Sequence, residues 1–167
     1  MKQTLKYILE RLVISRKFAE EKHSVTIALA SGVIVFSSYF ISNQRAEIIF
    51  VSAGSIVLAL ISVLYSFLAL SARRVKVKTE TQKNSGDLID YKSVADFGIE
   101  NYLKTLKDSY QFPKSYRFDQ FDKDLAMQII STAKVTKIKF SYFNIALIFL
   151  ALSIICCALS ICLLAGA

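Results

Sequence analysis

The chain has 167 residues, of which 54% are hydrophobic and only 20% charged, with a formal net charge of +8. That length fits one domain or one small assembly unit, and that composition is too apolar for an ordinary soluble domain. A basic surface on a soluble protein would suggest nucleic acid. Here the distribution of the basic residues gives them another task, and no nucleic-acid partner is expected.

In chain order, residues 2–16 place Leu5, Ile8, Leu9, Leu12 and Val13 at helical spacing, with Lys2, Lys6, Glu10 and Arg11 elsewhere. The stretch KFAEEKHS (17–24) then holds the single histidine, His23, directly before an apolar run. Its residues suit a boundary between water and lipid, where polar side chains are solvated or paired with neighbours. Residues 24–44, 46–71 and 140–167 are nearly uninterrupted apolar runs, each longer than the ~20 residues that cross a ~30 Å hydrocarbon core. The first run starts too late and is too long for a cleaved signal peptide. Without a Gly or Pro before it, one helix is expected over about 3–41.

After span two comes SARRVKVK, then a polar loop, TETQKNSG (79–86). Ile99, Tyr102, Leu103 and Leu106 predict a short helix from about Asp96 or Phe97. QFPKSYRF (111–118) carries the only proline, Pro113, and is expected to be an ordered turn or extended piece. From Asp119 onward, Phe121, Leu125, Ile129, Thr132, Thr136, Phe140 and Phe143 form one stripe, which predicts a rod over about 119–164. Asp119, Asp122 and Asp124 sit where a helix N-terminus favours acids.

The expected fold is an all-α membrane protein: three transmembrane helices, cytoplasmic helical extensions and a small cytoplasmic segment between spans two and three. Its parts are an amphipathic helix (1–23) continuous with span one, a two-helix hairpin (24–71), a cytoplasmic segment ending in a long helix (72–139), and the third span (140–167). Residues 1–23 hold six Lys/Arg against three acids, and residues 72–139 hold fourteen against nine. The loop 43–47 holds only Arg45 and Glu47. The excess lies on one side, which puts the N-terminus and the central segment in the cytoplasm and the C-terminus outside, with the basic residues against anionic lipid.

No glycine-rich phosphate loop, HExxH, CxxC or G-x-S-x-G occurs. Apart from Glu47 at the loop edge of the second run, no charged residue lies within a span to mark a proton or ion relay. An enzyme and a proton-coupled transporter both recede, and neither a cofactor nor a metal is expected. Cys156, Cys157 and Cys162 point in three directions on a helix and read as small packing residues.

The spans do carry rows of small and hydroxyl residues. Span two has Ser52, Ser55, Ala59, Ser62, Ser66 and Ala69; span one has Ser24, Ala28, Ser31, Val35, Ser38 and Ser42. Such rows let helices pack closely, and in an oligomer Ser52, Ser55, Ser62 and Ser66 could instead line a wetted path. Because no span has a charged face, that path needs several copies, so a homo-oligomer is expected. In QFPKSYRF, Lys114 and Arg117 supply cations and Tyr116 or Phe118 a stacking face, which suits a phosphate joined to a base. The alternative for this segment is a packed turn with its charges in water.

The order of these parts resembles the Pycsar transmembrane effector family, the membrane proteins of a bacterial antiphage system. The resemblance runs from about Phe18 to Leu164. It rests on Phe18, Ala19 and Lys22 before span one, Tyr91, Ala95 and Tyr102 in the middle, and Gln128, Ile129, Ala133 and Lys139 before span three. It implies a cyclic mononucleotide ligand made by a partner cyclase, and impairment of the inner membrane. It also implies that Glu20, Lys22 and His23, at the membrane mouth, couple a sensed change to the spans. The leading expectation is therefore an oligomeric effector that permeabilises the membrane. A membrane-anchored adaptor recruiting a cytoplasmic partner protein is the alternative, and an enzyme at the lipid interface is a third reading.

The charge bias fixes a testable topology. Alkaline phosphatase fused after Ala167 should be active in the periplasm, whereas a cytoplasmic C-terminus would refute the three-span arrangement.

Overall fold

The structure, a computed structural model, describes residues 1–42, 45–72, 87–113 and 115–165. Among these residues there are five α-helices and no strand: α1 (Lys2–Ile41), α2 (Ala46–Ser71), α3 (Tyr91–Val94), α4 (Ile99–Ser109) and α5 (Gln120–Ala165). The two rods expected from the sequence are α1 and α5. The loop 79–86 lies outside the described residues.

The chain packs as two compact units. The first joins Met1–Ala19 with Ala72–Lys139, and the second joins Glu20–Ser71 with Phe140–Ala167. Helices α1 and α5 therefore contribute to both.

In the first unit the amphipathic start of α1 supplies Leu5, Ile8 and Leu12 to a core completed by Tyr102, Leu103 and Leu106 of α4 and by Leu125, Ala126, Ile129, Ile130 and Ala133 of α5. The tight piece before α4 adds Val94, Ala95 and Phe97. The buried Tyr102 hydroxyl donates to the Leu88 carbonyl at 3.2 Å, and burial raises its pKa well above the ordinary phenol value. Phe121, expected on the inner stripe of α5, is instead 45% exposed. It precedes the first core residue of α5, and Lys2 lies over its ring at 5.3 Å.

Helix α4 ends in a Schellman arrangement. Gln111 takes a left-handed φ of 51°, its N–H donates to Asp108 O, and the Phe112 N–H donates to Lys107 O. The chain thereby turns sharply into Pro113, which no helix could accommodate in its interior.

In the second unit, α1, α2 and α5 are each long and apolar enough to span a bilayer. Only 22%, 28% and 22% of their most apolar windows is buried, so most of that surface faces outward, as lipid requires. The contact between them is made by Leu150 against the small side chains Ala30 and Ala59, with Val33, Ile34 and Val63 around them. Tyr65 stacks on Phe149 with centroids 5.8 Å apart and planes 8° from parallel.

Ile129 is fully buried in the first unit. Ile129→Ala should therefore lower the unfolding free energy by about 2–5 kcal/mol, measured by denaturant titration of the detergent-solubilised chain. Phe121→Ala should change it by less than a third of that amount.

Candidate functional site

Two arrangements stand out, one in each unit. In the first unit α5 begins with a reciprocal cap: the Asp122 N–H donates to Asp119 Oδ1 at 2.8 Å, and the Asp119 N–H to Asp122 Oδ2 at 3.3 Å. The Tyr116 hydroxyl donates to the same Asp122 Oδ2 at 2.8 Å. Desolvation, then this bond to a carboxylate, pushes the Tyr116 phenol up to about 12. Lys2 Nζ lies 2.7 Å from Asp119 Oδ2. Their hydrogen bond holds the Asp119 carboxyl below its ordinary value and the Lys2 ammonium above its own. Lys107 Nζ donates to Tyr116 O at 2.9 Å and sits over the Phe118 ring at 5.8 Å. The extended piece after Pro113 is thus tied down from both sides.

What this leaves is an open cleft of about 510 Å³ lined by Met1, Lys2, Gln3, Tyr116, Arg117 and Asp119. Arg117 is exposed and makes no ion pair with any described residue. Of the three residues expected to meet an anionic ligand, Tyr116 and Arg117 line one cleft and Lys114 lies outside the described residues. The Tyr116 hydroxyl is committed to Asp122. Its ring, 6.0 Å from Phe118 at 70°, is the part available to a base, and the free guanidinium is the part available to a phosphate.

In the second unit the serines of α2 face inward. Ser52, Ser55, Ser62 and Ser66 are all fully buried. Ser55 Oγ lies 3.0 Å from Ser37 Oγ and donates to Ser153 O at 2.9 Å, while Ser153 Oγ donates back to Ser55 O at 2.7 Å. Ser52 Oγ donates to Ser160 Oγ at 2.9 Å, and Ser62 Oγ to Ala146 O at 2.8 Å. Ser66 Oγ has no hydrogen-bond partner among the described residues. This seam ties α2 to α5 along most of its length and to α1 at one point. Bonds between a side chain and a facing backbone carbonyl require helices in close approach, and the serines permit it.

A protein-family model described as the Pycsar effector protein domain matches residues 4–166. The chain belongs to the Pycsar effector family. It is accordingly a transmembrane effector of antiphage defence. No curated protein and no solved structure matches it.

In this Pycsar effector the membrane-mouth residues Lys22 and His23 lie just inside the second unit. Lys22 Nζ sits over the rings of Phe140 and Phe143, at 5.5 and 5.2 Å. The fully buried His23 meets Phe143 edge to face at 5.7 Å. Glu20 is half-buried, and its carbonyl accepts the Ser24 hydroxyl at 3.2 Å. Both aromatic partners come from the start of the α5 span, a pairing across more than a hundred residues that no local pattern announces.

The row expected to pack in span one faces the wrong way. Ser24, Ala28, Ser31, Val35, Ser38 and Ser42 are exposed, and the inward face carries Thr26, Ala30, Ser37 and Phe40. Ser31 and Ser38 satisfy their hydroxyls on carbonyls of their own helix, Ile27 O and Ile34 O, so polarity does not mark the contact face. Ser153 and Ser160 of span three were also missed by the sequence reading. The seven-residue gap between them, matching the gap between Ser55 and Ser62, was the available signal.

Ser55 bonds both neighbouring helices. Ser55→Ala should lower the stability of the three-helix packing by about 1–2 kcal/mol, measured by steric-trap or denaturant unfolding in bicelles. Ser38→Ala, which removes only a bond within one helix, should leave it unchanged.

Proposed function

We propose that this effector sits in the bacterial inner membrane with its N-terminus in the cytoplasm. On this reading it assembles as a homo-oligomer and breaches the bilayer when a cyclic-nucleotide signal reaches it. The observation that carries the reading is the serine seam. Beyond Glu47 in the first turn of α2, the spans hold no charged side chain but do hold a row of hydroxyls, bonded to one another and to facing carbonyls. A row of this kind is closed while the helices are packed and offers a polar wall if they part. It supports a role in breaching the membrane without catalysis or proton coupling.

The messenger, made by a partner cyclase, is assigned to the cleft at the start of α5, with Arg117 on the phosphate and the Tyr116 ring against the base. Lys22, His23 and Glu20 are the coupling residues. Helix α1 passes from the first unit to the second at Ala19–Glu20, and α5 at Lys139–Phe140. A ligand in the first unit moves the spans only by binding one packing better than the other, and the rings that hold Lys22 and His23 lie on the helix whose first turns form the cleft.

The test uses the full chain in dye-loaded vesicles, with cyclic CMP and cyclic UMP as probes. Wild-type protein should release dye on adding one of them, and Arg117→Ala should reduce that release at least tenfold at equal membrane insertion. An unchanged response in Arg117→Ala removes the cleft from the reading. No release with either probe, together with a cytoplasmic protein that co-purifies, replaces the effector reading with that of a membrane-anchored adaptor.

A further inference from the structure

The core of the first unit takes up Leu5, Ile8 and Leu12 of α1 and Ile129, Ile130 and Ala133 of α5. Beside that core the same two helices border a groove of about 520 Å³, and every residue lining it belongs to this unit. Leu9, Val13 and Arg16 follow at steps of four and three on α1, and Gln128, Ser131 and Val135 at steps of three and four on α5. Each helix thus gives the groove one face, and Met127 and Thr132 complete the wall. The volume is in the range of small-molecule sites. The groove shares no lining residue with the cleft at the start of α5.

Its lining combines two chemistries. Leu9, Val13, Met127 and Val135 are apolar, while Arg16, Gln128, Ser131 and Thr132 bring hydrogen-bond donors. No carboxylate stands among the described residues that line it, so its one formal charge is positive. The hydroxyls are also unspent. Elsewhere on α1 and α5, Ser15, Ser24, Ser31, Ser38 and Thr136 return theirs to a carbonyl of their own helix, as a helical hydroxyl without another partner can. Ser131 and Thr132, both half-buried, do not, and neither they nor the Gln128 amide donate to any described residue.

A ligand that suits these walls carries one negative charge, several acceptor oxygens and an apolar body. A monoanionic phosphodiester has all three. The Arg16 guanidinium matches the charge with paired N–H groups, and Ser131, Thr132 and Gln128 supply donors for the remaining oxygens. A phosphomonoester carries roughly 1.5 to 2 charges at pH 7, more than one guanidinium answers. We propose that the groove between α1 and α5 binds a phosphodiester with an apolar substituent, its charge held on Arg16. Two sources supply that chemistry, the head group of an anionic phospholipid and a free cyclic nucleotide. The assignment goes beyond the messenger cleft and does not depend on it.

Native mass spectrometry of the full chain, released from detergent, measures the affinity of the first bound molecule of each probe. The probes are phosphatidylglycerol and cyclic UMP, with zwitterionic phosphatidylcholine as the comparison lipid. Phosphatidylglycerol binding more tightly than phosphatidylcholine makes the source a lipid, and cyclic UMP binding makes it a soluble nucleotide. In either case Arg16→Gln and Ser131→Leu should each weaken that binding about tenfold, the loss expected for a charged hydrogen bond. Lys104→Gln, which removes an exposed cation on α4, should leave it unchanged. Ser131→Leu fills the groove from a half-buried position, so it decides the question even if Arg16→Gln folds poorly. Binding that survives Ser131→Leu overturns the assignment. So does binding lost in Arg117→Ala but kept in Arg16→Gln, which puts the ligand in the other cleft. Phosphatidylglycerol bound no more tightly than phosphatidylcholine, with no cyclic UMP bound, overturns it as well.

Discussion

Hydrocarbon offers a hydroxyl no partner, and most of this molecule's membrane half is arranged around that fact. Each buried serine on α2 except Ser66 reaches a group on a facing helix, and the exposed serines of α1 turn back on their own carbonyls. Satisfying the first group demands helices in close contact, which in turn demands Ala30, Ala59 and Ala146 where larger residues would hold them apart. The seam is therefore both a polar feature and the reason for the small residues beside it. Leu150, Val33, Ile34 and Val63 fill the space beside the seam, so hydrogen bonds and apolar contact share the packing.

The first unit obeys the opposite rule. Its helices are short or amphipathic, and it coheres by burying Leu, Ile and Tyr side chains away from water. The two regimes share α1 and α5, which change from one to the other without interruption. Near that change Lys22 rests on aromatic rings of α5, and Lys137 pairs with Asp96 at 2.8 Å.

The sequence makes the coarse plan legible because lipid imposes length and polarity directly on the amino-acid string. The three spans, the long rods of α1 and α5, and the break at Pro113 all follow from residue type and spacing. The inward face of α2 was legible too, since its small residues fall on a single row. Span one misled because it carries two rows of small residues, and only tertiary contact tells Ser37 from Ser38. The Tyr116–Asp122 bond and the left-handed Gln111 were not legible at all, because each depends on chain geometry that no residue preference signals. Of the cleft, the residue types in QFPKSYRF were apparent, but their neighbours Lys2 and Gln3 were not. They arrive from the far end of the chain through the packing of α1 on α5.

The seam also has a bearing on noise. Its bonds are spread along two stiff rods, so α2 cannot slide or turn by one residue and lose only one of them. Ser52, Ser55 and Ser62 hold or release as a group. Thermal fluctuation that would open a single contact is therefore opposed by all the others. A packing held in this way has a threshold built into it. Its resistance to parting is set by how many bonds must yield together rather than by the strength of any one.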